Sequence, residues 1–299
     1  HAFWDTELFM LPFFAWVFPK TAQNLENYRY YLLDAARENA HKNGFNGAQY
    51  PWESADDGSE QCPDWTIEPD GSCYRCYVAV YEHHVTAAVA YGIYDYVKIT
   101  GDIDFLYTKG AEILTETARF WASRCEYNNE QDRYEINQVT GPDEWHEPVN
   151  NNLYTNYLAR WNLKYVLSLL EVMKKEETSS YNELVEKTGL TEMETAKWKE
   201  VQEKIYLPRK EGTKLLEQFE GYFELDNVTI EKYDENDWPI RPEALKTKKA
   251  KETQINKQAD VVMLLHLMGN EFDDETIKEN YAYYEKRTLH GSSLSPSIY

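Results

Sequence analysis

Four short segments crowd polar and aromatic side chains more densely than packing requires. They are Phe3-Trp4-Asp5-Thr6-Glu7, Tyr50-Pro51-Trp52-Glu53-Ser54, Gly141-Pro142-Asp143-Glu144-Trp145-His146-Glu147 and His290-Gly291-Ser292-Ser293-Leu294-Ser295. The third sets Glu144 among two further carboxyls, Asp143 and Glu147, beside the Trp145 indole. Like charge and an apolar wall both favour the proton-bearing form of a carboxyl group, so Glu144 is a candidate general acid. The fourth opens with His290-Gly291-Ser292-Ser293, an imidazole, two hydroxyls and a glycine at which backbone can approach closely, a combination suited to holding phosphate. Each segment also has a plainer reading. Gly141-Pro142 makes a turn, Asp143 can cap the next helix, and serine-rich tails are commonly solvated. Any one of them alone leaves function open.

The elements that must position these segments are helices. Val85, Ala88, Val89, Ile93, Tyr96 and Val97 recur at three- and four-residue steps up to a break at Gly101-Asp102. Asp102 then reads as the N-cap of a second helix with an apolar face of Leu106, Ile113, Leu114, Ala118 and Trp121. A third carries Leu153, Tyr157, Trp161, Tyr165 and Leu169, and further helices fit Leu25 to Lys42, Tyr181 to Lys187, Thr191 to Ile205 and Gln258 to Met268. Strand signals are sparse; Arg133 to Gln138 reads as one arm of a hairpin closed around Asn128-Asn129. The fold class expected is all-α, in one large domain over residues 1–299. Two long connections, 44–77 and 221–250, interrupt it, and loops of that length tend to be functional. The first is rich in Trp, Glu, Asp and Gly, as a sugar-binding rim would be.

Composition excludes several classes of function. A net charge of -21 opposes nucleic acid or an anionic membrane as partner, because both are bound through clustered Lys and Arg. Nine Trp and 24 Tyr suit a concave site that stacks on sugars. Cys62, Cys73, Cys76 and Cys125 are too few for a disulfide framework, and Cys73-x-x-Cys76 has no second half for a zinc site, so free thiols in a reducing cytoplasm are expected. The apolar run Ala2 to Phe18 contains Asp5, Glu7 and Pro12 and falls short of a membrane span; it also lacks the basic leader and small-residue cleavage site of a signal peptide. No metal site and no Walker-type nucleotide loop is read from the sequence. The chain opens at His1 and stops at Tyr299 inside patterned segments, as a piece of a longer polypeptide would.

Together the segments resemble the inverting disaccharide phosphorylases of glycoside hydrolase family 65. Phe3 to Phe13 is similar to that family's FWDTE-x-FMLPF segment, and Ala35 to Ser54 to AARENA-x-x-NG…YPWES. Thr140 to Asn156 resembles TGPDE(Y/W)H…NN-x-YTN, Lys257 to Asp260 resembles KQAD, and the His290 stretch resembles the phosphate loop. The resemblance implies an (α/α)6 barrel, with the family's flanking β domains lying outside this chain. It implies Glu144 as proton donor and His290, Gly291, Ser292 and Ser293 as ligands of inorganic phosphate. It further implies Trp4, Asp5, Lys257 and Gln258 as binders of the retained glucose, with Trp52 and Glu53 at or beside the scissile bond. The chemistry of these residues agrees. An alkoxide leaving group is too basic to depart without a proton, and phosphate, already an anion, needs hydrogen-bond donors where a hydrolase would place a second carboxylate as base. Asp5 has a competing reading as a helix N-cap, Lys257 as a surface charge, and Arg37 and Glu38 read as a structural ion pair.

The expected reaction is reversible phosphorolysis with inversion, giving β-glucose 1-phosphate. Partners are a disaccharide or glucoside and inorganic phosphate as co-substrate, with no cofactor; the sequence leaves the oligomeric state open, a homodimer included. An α-glucoside hydrolase and a non-catalytic carbohydrate-binding helical protein are the alternatives. Departures from the commoner family pattern at Cys62 to Cys76 and Glu82-His83-His84 leave maltose, kojibiose, nigerose, trehalose and glucosyl-polyols all open as substrates.

Overall fold

The structure is a computed structural model that describes residues 2–67 and 71–299. It is mostly helical. Its contacts divide the chain into two compact units, His1–Tyr134 with Leu158–Ile205, and Glu135–Tyr157 with Tyr206–Tyr299.

In the first unit a π-helical turn, Thr6–Met10, leads into α1 (Leu11–Val17), α2 (Pro19–Tyr31) and α3 (Leu33–Lys42). The long connection that follows contains a small antiparallel hairpin, β1 (Trp65–Ile67) and β2 (Cys73–Arg75), in which Thr66 faces Tyr74. Then come α4 (Val78–Tyr81), α5 (His84–Thr100), α6 (Ile103–Phe105), a second π-helical turn at Leu106–Gly110 and α7 (Ala111–Arg124). Next is the strand pair β3 (Glu126–Asn128) and β4 (Arg133–Glu135), then α8 (Leu153–Glu176), α9 (Thr178–Thr188) and α10 (Glu192–Lys204). α5 and α7 form the heart of this unit. α5 packs on α1, α2 and α7, and α7 also meets α3, α9 and α10. A helix surrounded in this way is buried on most of its sides, and Val85, Ala87 to Ala90, Ile93, Ile113, Leu114, Ala118, Phe120 and Trp121 are all fully buried, with Glu112 and Glu116 of α7 buried among them.

Several local features follow the sequence reading. Gly101 ends α5 in the left-handed region, at φ 72°, and Asp102 accepts a hydrogen bond from the Phe105 N–H at 3.0 Å as the expected cap. α10 opens with a reciprocal capping box between Thr191 and Glu194. Arg37 is structural, as read, but its partners are Asp34, Glu112 and Glu116. Two readings need correction. The stretch expected as one helix from Leu25 to Lys42 starts earlier, at Pro19, and breaks at Leu32, where φ is -101° and ψ 10°. On α8 the expected Leu153 and Leu169 are buried, but the stripe between and beyond them is Leu158, Leu163, Val166, Leu170 and Met173. The expected Tyr157, Trp161 and Tyr165 are only partly buried. Trp161 and Tyr165 instead stack on each other at 5.4 Å and meet Tyr91 and Tyr94 of α5, an aromatic seam.

The second unit has less regular structure. α11 (Val261–Met268) packs on α12 (Asp274–Glu285), and the rest is short 3₁₀ turns and isolated bridges. α11 begins three residues later than expected, which leaves Gln258 to Asp260 as non-helical chain ahead of it. No helix among the described residues is long and apolar enough to cross a membrane.

Candidate active site

Glu144 sits on a loop drawn closed at its base by paired hydrogen bonds between Val139 and Val149, at 2.9 and 2.8 Å. The loop packs through Trp145 against a small core of Ile230, Leu245 and Ile255. The indole expected as a wall for the acid therefore also anchors its loop. Glu144 itself is partly exposed, and its Oε1 lies 2.8 Å from the Lys257 ammonium and 3.4 Å from the Gln258 amide nitrogen. The sequence offers Glu144 two acidic neighbours and an indole; the structure adds this cation. Of those neighbours, Glu147 is held above the usual carboxylate range by burial, against the pull of Lys251, with the Glu144 charge adding to the rise.

The segment from Thr253 to Asp260 is the rail on which this arrangement is fixed. It pairs with the chain after α12: Asn256 N–H donates to Arg287 O at 2.7 Å and Leu289 N–H to Asn256 O at 2.9 Å. Gly291 N–H then donates to Lys257 O at 2.8 Å. The rail thus presents the Lys257 and Gln258 side chains to Glu144 and ties down the start of the serine-rich loop. In that loop His290 takes φ 51°, accommodated by a hydrogen-bonded contact of its Nδ1 with Ser295 Oγ at 2.7 Å and edge-on packing with Tyr299. Burial lowers its pKa below the ordinary histidine value, so the ring is neutral at pH 7. Ser292 accepts the Leu294 N–H at 3.3 Å, while Gly291 and Ser293 are exposed.

Beneath Glu144 lies a buried polar cluster that the sequence reading missed. Asp143 was read there as a neighbouring charge or a helix cap. α8 is instead capped by Asn152, whose Oδ1 accepts the Thr155 N–H at 2.9 Å. The Asp143 carboxylate accepts from the Lys257 main chain at 2.7 Å, from Gln218 at 3.1 Å and from His146 at 2.5 Å. The other ring nitrogen of His146 faces Thr253 O at 2.8 Å. Both nitrogens face acceptors, so both donate only if the ring is protonated. Burial opposes that charge, but the Asp143 carboxylate and the Thr253 carbonyl outweigh it and raise the His146 pKa. Asp260, 2% exposed, takes hydrogen bonds from the Asp143 N–H at 3.3 Å and from the Asn152 amide at 3.1 Å. The fourth residue of the Lys-Gln-Ala-Asp motif could have signalled it; Gln218 stands in no motif.

Gly141, at the loop's start, is required by this crowding. A Cβ there would lie 2.3 Å from both Asn152 Nδ2 and Asp260 Oδ2. Gly141→Ala is therefore expected to cost about 1–3 kcal/mol of overpacking and to lower turnover. Gly269→Ala, with nothing within 4 Å, should change neither. Thermal unfolding of both variants checks this; equal melting temperatures would mean that the loop has room to yield.

The remaining sequence candidates lie in the first unit. Trp4 is 3% exposed and meets the His84 ring edge-on at 4.9 Å; Trp52 meets the same imidazole at 5.7 Å. His84 is thus shared by both tryptophans, and burial together with His83 pushes its pKa down to about 3, leaving it neutral. Asp5 occupies the N-cap position of its helix but makes no side-chain cap hydrogen bond. Glu60, not singled out in the sequence, accepts the N–H groups of Trp52 at 2.7 Å and of Glu53 and Cys62 at 3.0 Å, and so fixes that segment. The Trp4 segment is held by Arg29, which reaches Phe3 O at 3.3 Å while paired with Glu7. All four cysteines are free thiols, and no group of three or more potential metal ligands occurs among the described residues.

Glu144, Lys257 and Gln258 thus meet on the rail that also ties the start of the serine-rich loop. The profile of the glycosyl hydrolase family 65 central catalytic domain matches residues 1–299, and the chain belongs to that family. It is 56% identical over 299 residues to a kojibiose phosphorylase of Caldanaerobacter subterraneus subsp. tengcongensis, covering 100% of this chain and 39% of that protein. It is 37% identical to an α,α-trehalose phosphorylase of Thermoanaerobacter brockii, covering 100% of this chain and 37% of the other. Among solved structures, one from the human microbiome provisionally named kojibiose phosphorylase matches with a TM-score of 0.85 at 32% identity, over 99% of this chain and 41% of that one. The chain thus spans about two fifths of the length of the curated relatives it matches.

Proposed function

We propose that the protein containing this chain catalyses reversible phosphorolysis of an α-glucosidic disaccharide with inversion, releasing β-glucose 1-phosphate. The observation that carries the reading is the placement of Glu144 within reach of Lys257 and Gln258 on the rail that also ties Gly291. Glu144 protonates the glycosidic oxygen, and phosphate attacks the anomeric carbon from the opposite face. His290, Gly291, Ser292 and Ser293 hold that phosphate. Trp4, Asp5, Trp52, Glu53, Lys257 and Gln258 bind the glucose that is transferred. Because the bond to the leaving sugar breaks as the bond to phosphate forms, the α-linkage becomes a β-phosphate in one step.

Kojibiose is the preferred substrate in this reading, supported by 56% identity to a kojibiose phosphorylase against 37% to a trehalose phosphorylase. The same reading makes residues 1–299 one (α/α)6-barrel catalytic domain, with the family's flanking β domains elsewhere in the polypeptide. It also places the enzyme in the cytoplasm as a homodimer; the four free thiols suit a reducing compartment. Incubation of the full-length enzyme with kojibiose, nigerose, maltose and trehalose, with and without phosphate, tests it. Sugar consumed equally fast without phosphate would establish a hydrolase instead.

The phosphate loop has its own test. Replacing Ser292 and Ser293 together by Ala removes two hydroxyl donors, each worth about 1.5–3 kcal/mol to a charged oxygen. The KM for phosphate should rise at least tenfold, on the order of the loss of one such bond, while the KM for kojibiose stays within threefold. An unchanged phosphate KM would remove the loop from the phosphate site.

A further inference from the structure

We propose that Asp260 is a positioning residue for this reaction, a neutral carboxyl group that fixes the main chain of Asp143 and thereby aims Glu144. The inference rests on the general-acid role of Glu144 but not on the identity of the nucleophile.

The geometry makes the case. The loop that carries Glu144 is fastened to the rest of its unit through the residues on either side of the acid. Pro142 O accepts from Gln258 at 2.5 Å, the Asp143 N–H donates to Asp260, and the Asp143 carboxylate takes the Lys257 N–H. Two residues beyond the acid, His146 spans from Asp143 to Thr253 O. Asp260 takes the N–H of the Pro142–Asp143 peptide, whose carbonyl Gln258 holds, and it is itself held by the Asn152 amide at the entry to α8. A shift at that peptide is carried directly into the Glu144 side chain. Misplacing a reacting group by about 1 Å can cost on the order of 10²-fold in rate.

Charge balance requires Asp260 to be neutral. Three titratable groups face it: the Asp143 carboxyl, the His146 ring and the Tyr284 phenol. Asp143 and His146 neutralise one another as carboxylate and imidazolium. The donors to Asp260 are an amide and a main-chain N–H, neither of them a cation. An ionised Asp260 would therefore be a second buried negative charge with no cation of its own, an arrangement that proteins avoid by holding a proton. Burial first, and then the neighbouring Asp143 charge, push its pKa up to about 8.

Two substitutions and two donors in the full-length enzyme separate this role from general damage. Asp260→Asn reproduces the shape and neutrality of the protonated acid and should keep at least a third of kcat on kojibiose at pH 7. Asp260→Ala should lose more than tenfold in kcat on kojibiose, with the KM for phosphate within threefold of wild type. On α-glucosyl fluoride, whose leaving group departs without a proton, the Ala variant should lose less than threefold. That rate also reports that the variant is folded. Equal losses on both donors would show that Asp260 merely supports the fold, and an Asn variant as impaired as Ala would show that its charge is needed; either overturns the proposal. So would an Ala variant as active as wild type on kojibiose. Because each comparison is internal to one donor, turnover that proves independent of phosphate would sink the phosphorylase reading and leave this one standing or falling on its own ratios.

Discussion

Glu144→Gln is expected to lower kcat on kojibiose by about 10²–10⁴-fold, the range typical of losing one general acid. The amide keeps the length of the side chain and an oxygen for the Lys257 ammonium, which lies 2.8 Å from Glu144 Oε1. Sugar binding should therefore stay within a few-fold of wild type. The deficit should nearly vanish on α-glucosyl fluoride with phosphate, since fluoride needs no proton to leave. Steady-state rates on the two donors decide the matter. More than a tenth of wild-type activity on kojibiose would show that another group supplies the proton.

The second large effect is on stability. Arg29 is fully buried and makes a two-pronged ion pair with Glu7, at 2.6 and 3.0 Å, beside a second buried acid, Glu26. Arg29→Met should destabilise the first unit by about 3–5 kcal/mol, because removing one partner of a buried pair leaves the other charge uncompensated. The pH dependence has a definite sign. Burial already holds Glu7 above the usual carboxylate range, against the pull of Arg29, and Glu26 well above it. Without Arg29 both rise further in the folded state. A carboxyl whose folded pKa exceeds its unfolded value binds more protons when folded, so stability falls as pH rises between the two values. The variant's deficit should therefore be greatest at pH 8 and shrink toward pH 5. Urea unfolding followed by tryptophan fluorescence at both pH values tests this; a deficit that grows on acidification would contradict it.

Much of the helical framework was legible because its signals are local. α5 shows its period over seventeen residues and ends on a glycine, and Asp102 and Thr191 mark helix starts by side-chain chemistry that needs no knowledge of the fold. The break at Leu32 carries no Gly or Pro and leaves no mark in the sequence. The α8 stripe was misread because Trp161 and Tyr165 are large and apolar, yet stacking leaves them partly exposed. At the site, the motif residues could be named, but their mutual support could not. Asp143 meets Gln218 and Lys257 across long stretches of chain, and no local pattern tells which distant polar groups will share a buried cluster. Glu60 was invisible for the opposite reason: an acidic residue in a polar loop looks solvated, although here it collects three main-chain N–H groups.

Lys257 makes three attachments in one residue: its side chain to Glu144, its N–H to Asp143 and its carbonyl to Gly291. In evolutionary terms this couples Glu144 and the start of the serine-rich loop to a common gauge. A drift of the rail would move Glu144 and the serine-rich loop together, so neither can be retuned independently of the other.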